Sequence, residues 1–95
     1  MAPESILPTA RPRIAARARL QTDKITGKPV LLYPEGALLL NPTAQAIIAL
    51  CTGHDTVSSI VTNLADRYQK PDMQVSIQVT RFLNRLRAKN LVDFV

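Results

Sequence analysis

The sequence predicts an α+β fold, a three-stranded antiparallel meander followed by three helices. Three observations predict it. Apolar and polar residues alternate with a period of two in the first half, compact turn signals divide that half into short runs, and the second half repeats apolar residues at helical spacing. The chain has 95 residues, 46% of them hydrophobic, enough for one domain of the usual roughly 100–200 residues.

Residues 1–13 carry Pro3, Pro8 and Pro12 and no sustained periodicity. Proline lacks an amide donor and restricts the residue before it, so this stretch is expected to be a flexible N-terminal arm preceding a folded domain over 14–95. From Ile14, residues Ala16, Ala18 and Leu20 alternate with Arg17, Arg19 and Gln21, the pattern of a half-buried strand. Asp23-Lys24-Ile25-Thr26-Gly27 reads as a hairpin loop, with Gly27 able to take positive φ. Val30–Tyr33 is a second strand, and Tyr33-Pro34-Glu35-Gly36 fits a type I turn with proline pre-setting φ at its second position. If Gly36 holds a positive φ, valine there should strain the turn. Ala37–Leu40 is a third strand, ended by Asn41-Pro42-Thr43 because proline cannot continue a ladder.

Asn41 or Thr43 can cap a helix running to about Cys51, with Ala44, Ile47, Ile48 and Leu50 as its apolar side and Gly53 where the helix end wants a left-handed residue. Asp55 or Thr56 can cap a second helix, whose Val57, Ile60, Val61, Leu64, Ala65 and Tyr68 form an apolar stripe. Lys70-Pro71-Asp72 separates it from a third, with Asp72 as its expected cap and Val75, Val79, Phe82, Leu83 and Leu86 as its stripe. The outer side of the third helix carries Arg81, Arg85 and Lys89. Asn90 can close it, leaving Leu91–Val95 as a short extended tail.

Composition narrows the function. A single cysteine, Cys51, excludes an internal disulfide and fits a reducing compartment. With His54 the only histidine, a multi-ligand N/S metal site within the chain is not expected. No apolar stretch approaches the roughly 18–20 residues that cross a bilayer. Met1-Ala2-Pro3-Glu4 does not open a signal peptide, so a cytoplasmic protein without membrane contact is expected. Nucleophilic catalysis needs an activated nucleophile and an oriented base. Cys51 and His54 stand three residues apart, but a cysteine ending an apolar helix is ordinarily buried, and Gly27, Gly36 and Gly53 are too dispersed for a phosphate loop. No enzyme activity and no cofactor are therefore expected.

Two binding classes remain. The second and third helices could form a helix-turn-helix, placing Arg81 and Arg85 against DNA. A formal net charge of +5 is modest for that role, Gln74, Ser76 and Gln78 are the polar residues offered to base edges, and aromatic residues are 4% of the chain. A solvated basic helix face is the ordinary explanation for these arginines. A peptide-binding module is the other class. An edge strand presents main-chain donors and acceptors to an extended partner, and Ala37–Leu40 has no lysine to repel one. Residues Ala37, Leu38, Leu39, Leu40 and Asn41 are expected to supply that edge. Gln78, Arg81, Phe82 and Arg85 are expected to form a side-chain wall beside it. Two open sheet edges also leave a homodimer open.

Taken in order, these segments resemble the PqqD family. Val30-Leu31-Leu32-Tyr33-Pro34-Glu35-Gly36 is similar to its "vLLyPEG" turn, Leu40-Asn41-Pro42-Thr43-Ala44 to its helix start, and Leu50-Cys51-Thr52-Gly53 to its helix end. Thr56-Val57, Ile60 and Leu64 follow its second-helix pattern, and Phe82-Leu83, Leu86 and Leu91-Val92 its last segment. Thr52 stands where the family usually has aspartate, and Asn90 where glycine is common. The resemblance spans roughly residues 13–95. It implies a winged helix-turn-helix-like fold and a peptide chaperone of pyrroloquinoline quinone (PQQ) biosynthesis. Such proteins bind the precursor peptide PqqA and present it to PqqE, a radical S-adenosylmethionine enzyme. In this fold the peptide adds as a strand beside the third strand of the meander, against the third helix. The competing reading from the residues is a winged-helix DNA-binding protein.

Overall fold

The computed structural model describes residues 6–95. Eight elements follow one another: β1 (Pro12–Ile14), β2 (Arg19–Thr22), β3 (Pro29–Tyr33), β4 (Gly36–Leu39), α1 (Pro42–Leu50), α2 (Val57–Tyr68), α3 (Asp72–Ala88) and β5 (Val92–Phe94). The α+β class, the antiparallel meander β2-β3-β4 and the three helices agree with the sequence prediction. A second, two-stranded sheet pairs β1 with β5 and was not foreseen.

The expected first strand is not one strand. Ile14 belongs to β1, a tight turn follows in which the Ala18 N–H donates to the Ala15 carbonyl at 3.0 Å, and β2 begins at Arg19. Ala15 and Ala18, three apart, are the buried pair, whereas Ala16 is exposed. Alanine has little preference for a pleated strand, so its alternation with arginine did not impose one.

The N-terminal arm also differs from expectation. Residues 1–5, including Pro3, lie outside the described residues, but Pro8 and Pro12 are tied down. Pro12 is almost wholly buried in β1. The amides of Val57 and Ser58, at the start of α2, donate to the carbonyls of Ala10 and Pro8 at 2.8 and 3.0 Å. A helix leaves its first N–H groups without internal partners. Proline, which loses a donor but keeps its acceptor, suits a segment that offers only carbonyls to the start of α2.

The turns carry their own chemistry. In the β2–β3 loop Gly27 has φ +72 and its N–H donates to the Asp23 carbonyl at 2.8 Å. The β3–β4 hairpin closes with Tyr33 opposite Gly36 across Pro34-Glu35. Gly36 does not hold a positive φ, so the condition for strain at that turn is not met. Asn41 caps α1, its Oδ1 accepting from the Ala44 N–H at 2.7 Å, and Pro42 opens the helix. Thr56 caps α2 through its Oγ1, which accepts from the Ser59 N–H. Asp72 does not cap α3: it is the first helical residue, behind Pro71, and makes no cap bond. Its carboxylate there still complements the helix dipole. Asn90, at φ +57, ends α3 as expected, with the Leu91 and Asn90 amides donating back to the Leu86 and Arg87 carbonyls.

The core gathers Leu31 and Leu38 from the meander, Ile47 from α1, Ile60 and Leu64 from α2, Val79, Leu83 and Leu86 from α3, and Leu91 after it. The stripes foreseen on α2 and α3 supply nine of its twenty buried residues. Tyr68 is the exception on α2, 41% exposed.

Candidate functional site: a groove between β4 and α3

In the three-stranded sheet β3 is central and β4 is an edge. The register of β3 with β4 sets Leu31 opposite Leu38 and Val30 opposite Leu39, and the Leu40 N–H donates to the Pro29 carbonyl at 3.1 Å. Residues along an antiparallel pair alternate between those bonded to the neighbour and those whose main-chain groups point away. Gly36, Leu38 and Leu40 therefore face β3 with their main-chain groups. Ala37 and Leu39 turn theirs outward, to a side on which no strand lies among the described residues.

Beside that edge lies a hollow of about 320 Å³, lined by Leu39 of β4, Asn41, Thr43, Ala44 and Ile47 at the start of α1, and Gln78, Arg81, Phe82 and Arg85 of α3. The α3 residues lie three and four apart and so share one helix face. Their neighbours Val79, Leu83 and Leu86 are in the core, and half-buried Phe82 spans the two faces. Leu39 is 69% exposed, an apolar side chain at the mouth of the hollow. Arg81 and Arg85 border it and no carboxylate lines it. The N-terminal turn of α1 adds the partial positive charge of its dipole. Among the described residues the ion pair is elsewhere, between Arg17 and Glu35. The hollow thus combines an apolar floor, a cationic rim and two outward peptide groups, the recognition elements for an extended chain.

Of the expected binding residues, Leu39, Asn41, Gln78, Arg81, Phe82 and Arg85 come together around this hollow. Leu38 and Leu40 are buried at 6% each and point into the core. Ala37 is exposed on the outer edge without lining the hollow. The sequence reading missed Thr43, Ala44 and Ile47, the α1 wall. Their i, i+1, i+4 spacing beside the cap is a signal, but on sequence alone it reads as core.

Cys51 and His54 do not form a reactive pair. Cys51 is 4% exposed and burial pushes its thiol up to about 12, away from a nucleophilic thiolate. His54 is exposed, its backbone N–H donating to the Thr52 Oγ1. Among the described residues no helix is long and apolar enough to cross a membrane.

Comparison with known proteins agrees with this architecture. Residues 29–92 match the family model of coenzyme PQQ synthesis protein D, PqqD. A PqqA binding protein of Methylococcus capsulatus is 32% identical over 74 residues, covering 78% of this chain and 80% of that protein. Another, of Rhodopseudomonas palustris strain TIE-1, is 33% identical over 94 residues, covering 97% and 92%. The solution structure of the PqqD truncation of Methylobacterium extorquens PqqCD, described as a functional, stand-alone recognition element for ribosomally synthesised and post-translationally modified peptides, superimposes with a TM-score of 0.80. It is 29% identical and covers 98% of this chain and 99% of that one. The crystal structure of PqqD from Xanthomonas campestris, 23% identical with a TM-score of 0.58 over 96% of each chain, supports the fold. With a family match over more than half its length and near-full-length relatives above 30% identity, the chain belongs to the PqqD family.

Proposed function

We propose that this protein is a non-catalytic recognition element that binds the precursor peptide PqqA as an added strand on β4. It thereby presents the peptide to the radical S-adenosylmethionine enzyme PqqE in the cytoplasm. The observation that carries the reading is the outward main chain of Ala37 and Leu39 beside a groove bordered by Arg81, Phe82 and Arg85. Relatives named for PqqA binding supply the identity of the peptide. Their names also favour binding over catalysis.

Magnitudes assign the roles. Two N–H and two C=O groups on the edge, at about 1 kcal/mol per net hydrogen bond, give roughly 4 kcal/mol. That only meets the low end of the roughly 4–15 kcal/mol that association costs. The main chain therefore sets register, and affinity comes from apolar side chains entering between Leu39, Ile47 and Phe82, at roughly 1.5–3 kcal/mol each. Holding a flexible substrate in one register lowers the entropy still to be lost at the enzyme. A second copy pairing through the same edge would form a homodimer that competes with the peptide.

Isothermal calorimetry with synthetic PqqA tests the reading, with duplex DNA as the control. Saturable one-to-one peptide binding without DNA binding is expected, strengthened or unchanged when PqqE is present. Silence both with PqqA alone and with PqqE added would remove the proposal.

A further inference from the structure

The groove does not stop where β4 stops. A second hollow of about 230 Å³ sits at the elbow between α2 and α3, rimmed by Tyr68, Lys70 and Gln74, and it shares Thr43 and Gln78 with the first. The two therefore adjoin along α3. From Gln74 to Arg85 the wall is about 17 Å long at 1.5 Å per helical residue. That matches about five residues of an extended chain, whereas β4 offers outward groups only at Ala37 and Leu39. A peptide paired with β4 and continuing along α3 past Asn41 runs into the elbow.

The chemistry of the elbow says what enters it. Its floor is apolar, formed by buried Leu64, Val75 and Val79. Lys70 is exposed at its rim. Across the two hollows the charged side chains are Arg81, Arg85 and Lys70, with no carboxylate among the lining residues. Asp72 lines a different hollow, with Ile6 and Met73.

Resting on the PqqA-binding reading, we propose that the elbow is a second subsite. It takes residues flanking the added strand, in an acidic stretch of the peptide, one placing a carboxylate against Lys70 and its neighbour an apolar side chain against Tyr68. The subsite lies off the β4 edge, so it selects the ligand by side chain rather than by main-chain pairing.

The test is a double-mutant cycle by calorimetry at low salt. One arm compares wild-type protein with Lys70→Gln and Lys70→Glu. The other compares synthetic PqqA with peptides in which each Asp or Glu in turn becomes its amide. Lys70 is exposed, so unchanged melting temperatures confirm that the variants remain folded. Lys70→Gln should weaken binding about two- to five-fold, the range of an exposed ion pair, and Lys70→Glu more. One amide peptide should lose the same factor on wild-type protein and lose nothing further on Lys70→Gln. Wild-type affinity in Lys70→Glu, or additive losses at every position, would overturn the subsite while leaving the β4 groove in place. No binding of unmodified PqqA to wild-type protein, either alone or with PqqE added, would overturn the recognition reading and the subsite with it.

Discussion

At Gly53 the backbone holds φ +86, and a Cβ there would stand 3.4 Å from Val95 and 3.5 Å from Arg13. The glycine lets β1 pass close, its N–H donating to the Pro12 carbonyl at 2.9 Å. Gly53→Val should therefore cost about 2 kcal/mol or more, from left-handed strain plus crowding. Gly36→Ala should be neutral or stabilising by up to about 1 kcal/mol, since its φ is ordinary and the nearest atom, the Tyr33 hydroxyl, is 3.7 Å away. Chemical denaturation of both variants checks the contrast, and equal losses would contradict it. The Cys51 thiol supplies a pH signature. Its ionisation is raised from 9.0 to about 12 by burial, so the folded state keeps the proton that the unfolded state loses. Stability is complete below pH 9 and falls between about pH 9 and 12. At pH 10.5 the loss should reach about 2 kcal/mol. It should be absent from Cys51→Ala, whose lower baseline stability should not fall by that extra amount. Sequence alone identified Cys51 as buried. It also placed Gly53 where a helix end wants a left-handed residue, as found, whereas the crowding of a side chain there by Val95 and Arg13 depends on tertiary approach alone.

Within β4 the alternation of main-chain direction gives two neighbouring residues opposite tolerance for proline. Leu39→Pro removes an outward N–H and leaves the ladder to β3 intact, so the fold should survive with a loss of at most about 1–2 kcal/mol. PqqA binding should fall at least ten-fold. Leu39→Ala, which keeps the N–H, should weaken binding less. Leu38→Pro breaks a ladder bond in the core and should unfold the protein. Circular dichroism melts combined with calorimetry distinguish the three, and full binding by Leu39→Pro would refute main-chain pairing at that position. The helices were legible because α2 and α3 each bury one face, which forces a 3.6-residue repeat. The stretch from Ile14 to Gln21 was misread because alanine and arginine alternate there without a strand to demand it. The groove was half legible. Its edge and α3 wall followed from strand chemistry, helix spacing and the family resemblance, whereas the α1 wall at Thr43, Ala44 and Ile47 depends on how α1 packs.

Across the whole molecule, both ends of the described chain meet. Pro12 lies opposite Phe94 and Ile14 opposite Val92, and the Val95 N–H donates to the Arg11 carbonyl at 2.9 Å. No local pattern announces contacts between residues 78 to 84 positions apart, so three prolines read as an unattached arm. Removing residues 1–14 should expose the start of α2 and the partner face of β5. The expected loss is at least about 3 kcal/mol, from buried Pro12, half-buried Ile6 and Ile14, and the carbonyls given up. A fall of more than about 10 °C in Tm follows for a domain of this size, and a Tm within about 2 °C of the full chain would contradict the role of β1. The central claim, that PqqA adds to the β4 edge against α3, is tested most directly by an amide NMR titration with the peptide. The account predicts saturating shifts at Ala37 and Leu39 and along Gln78, Arg81, Phe82 and Arg85. Shifts confined to the opposite edge, Arg19–Thr22, or to the β1–β5 pair would contradict it.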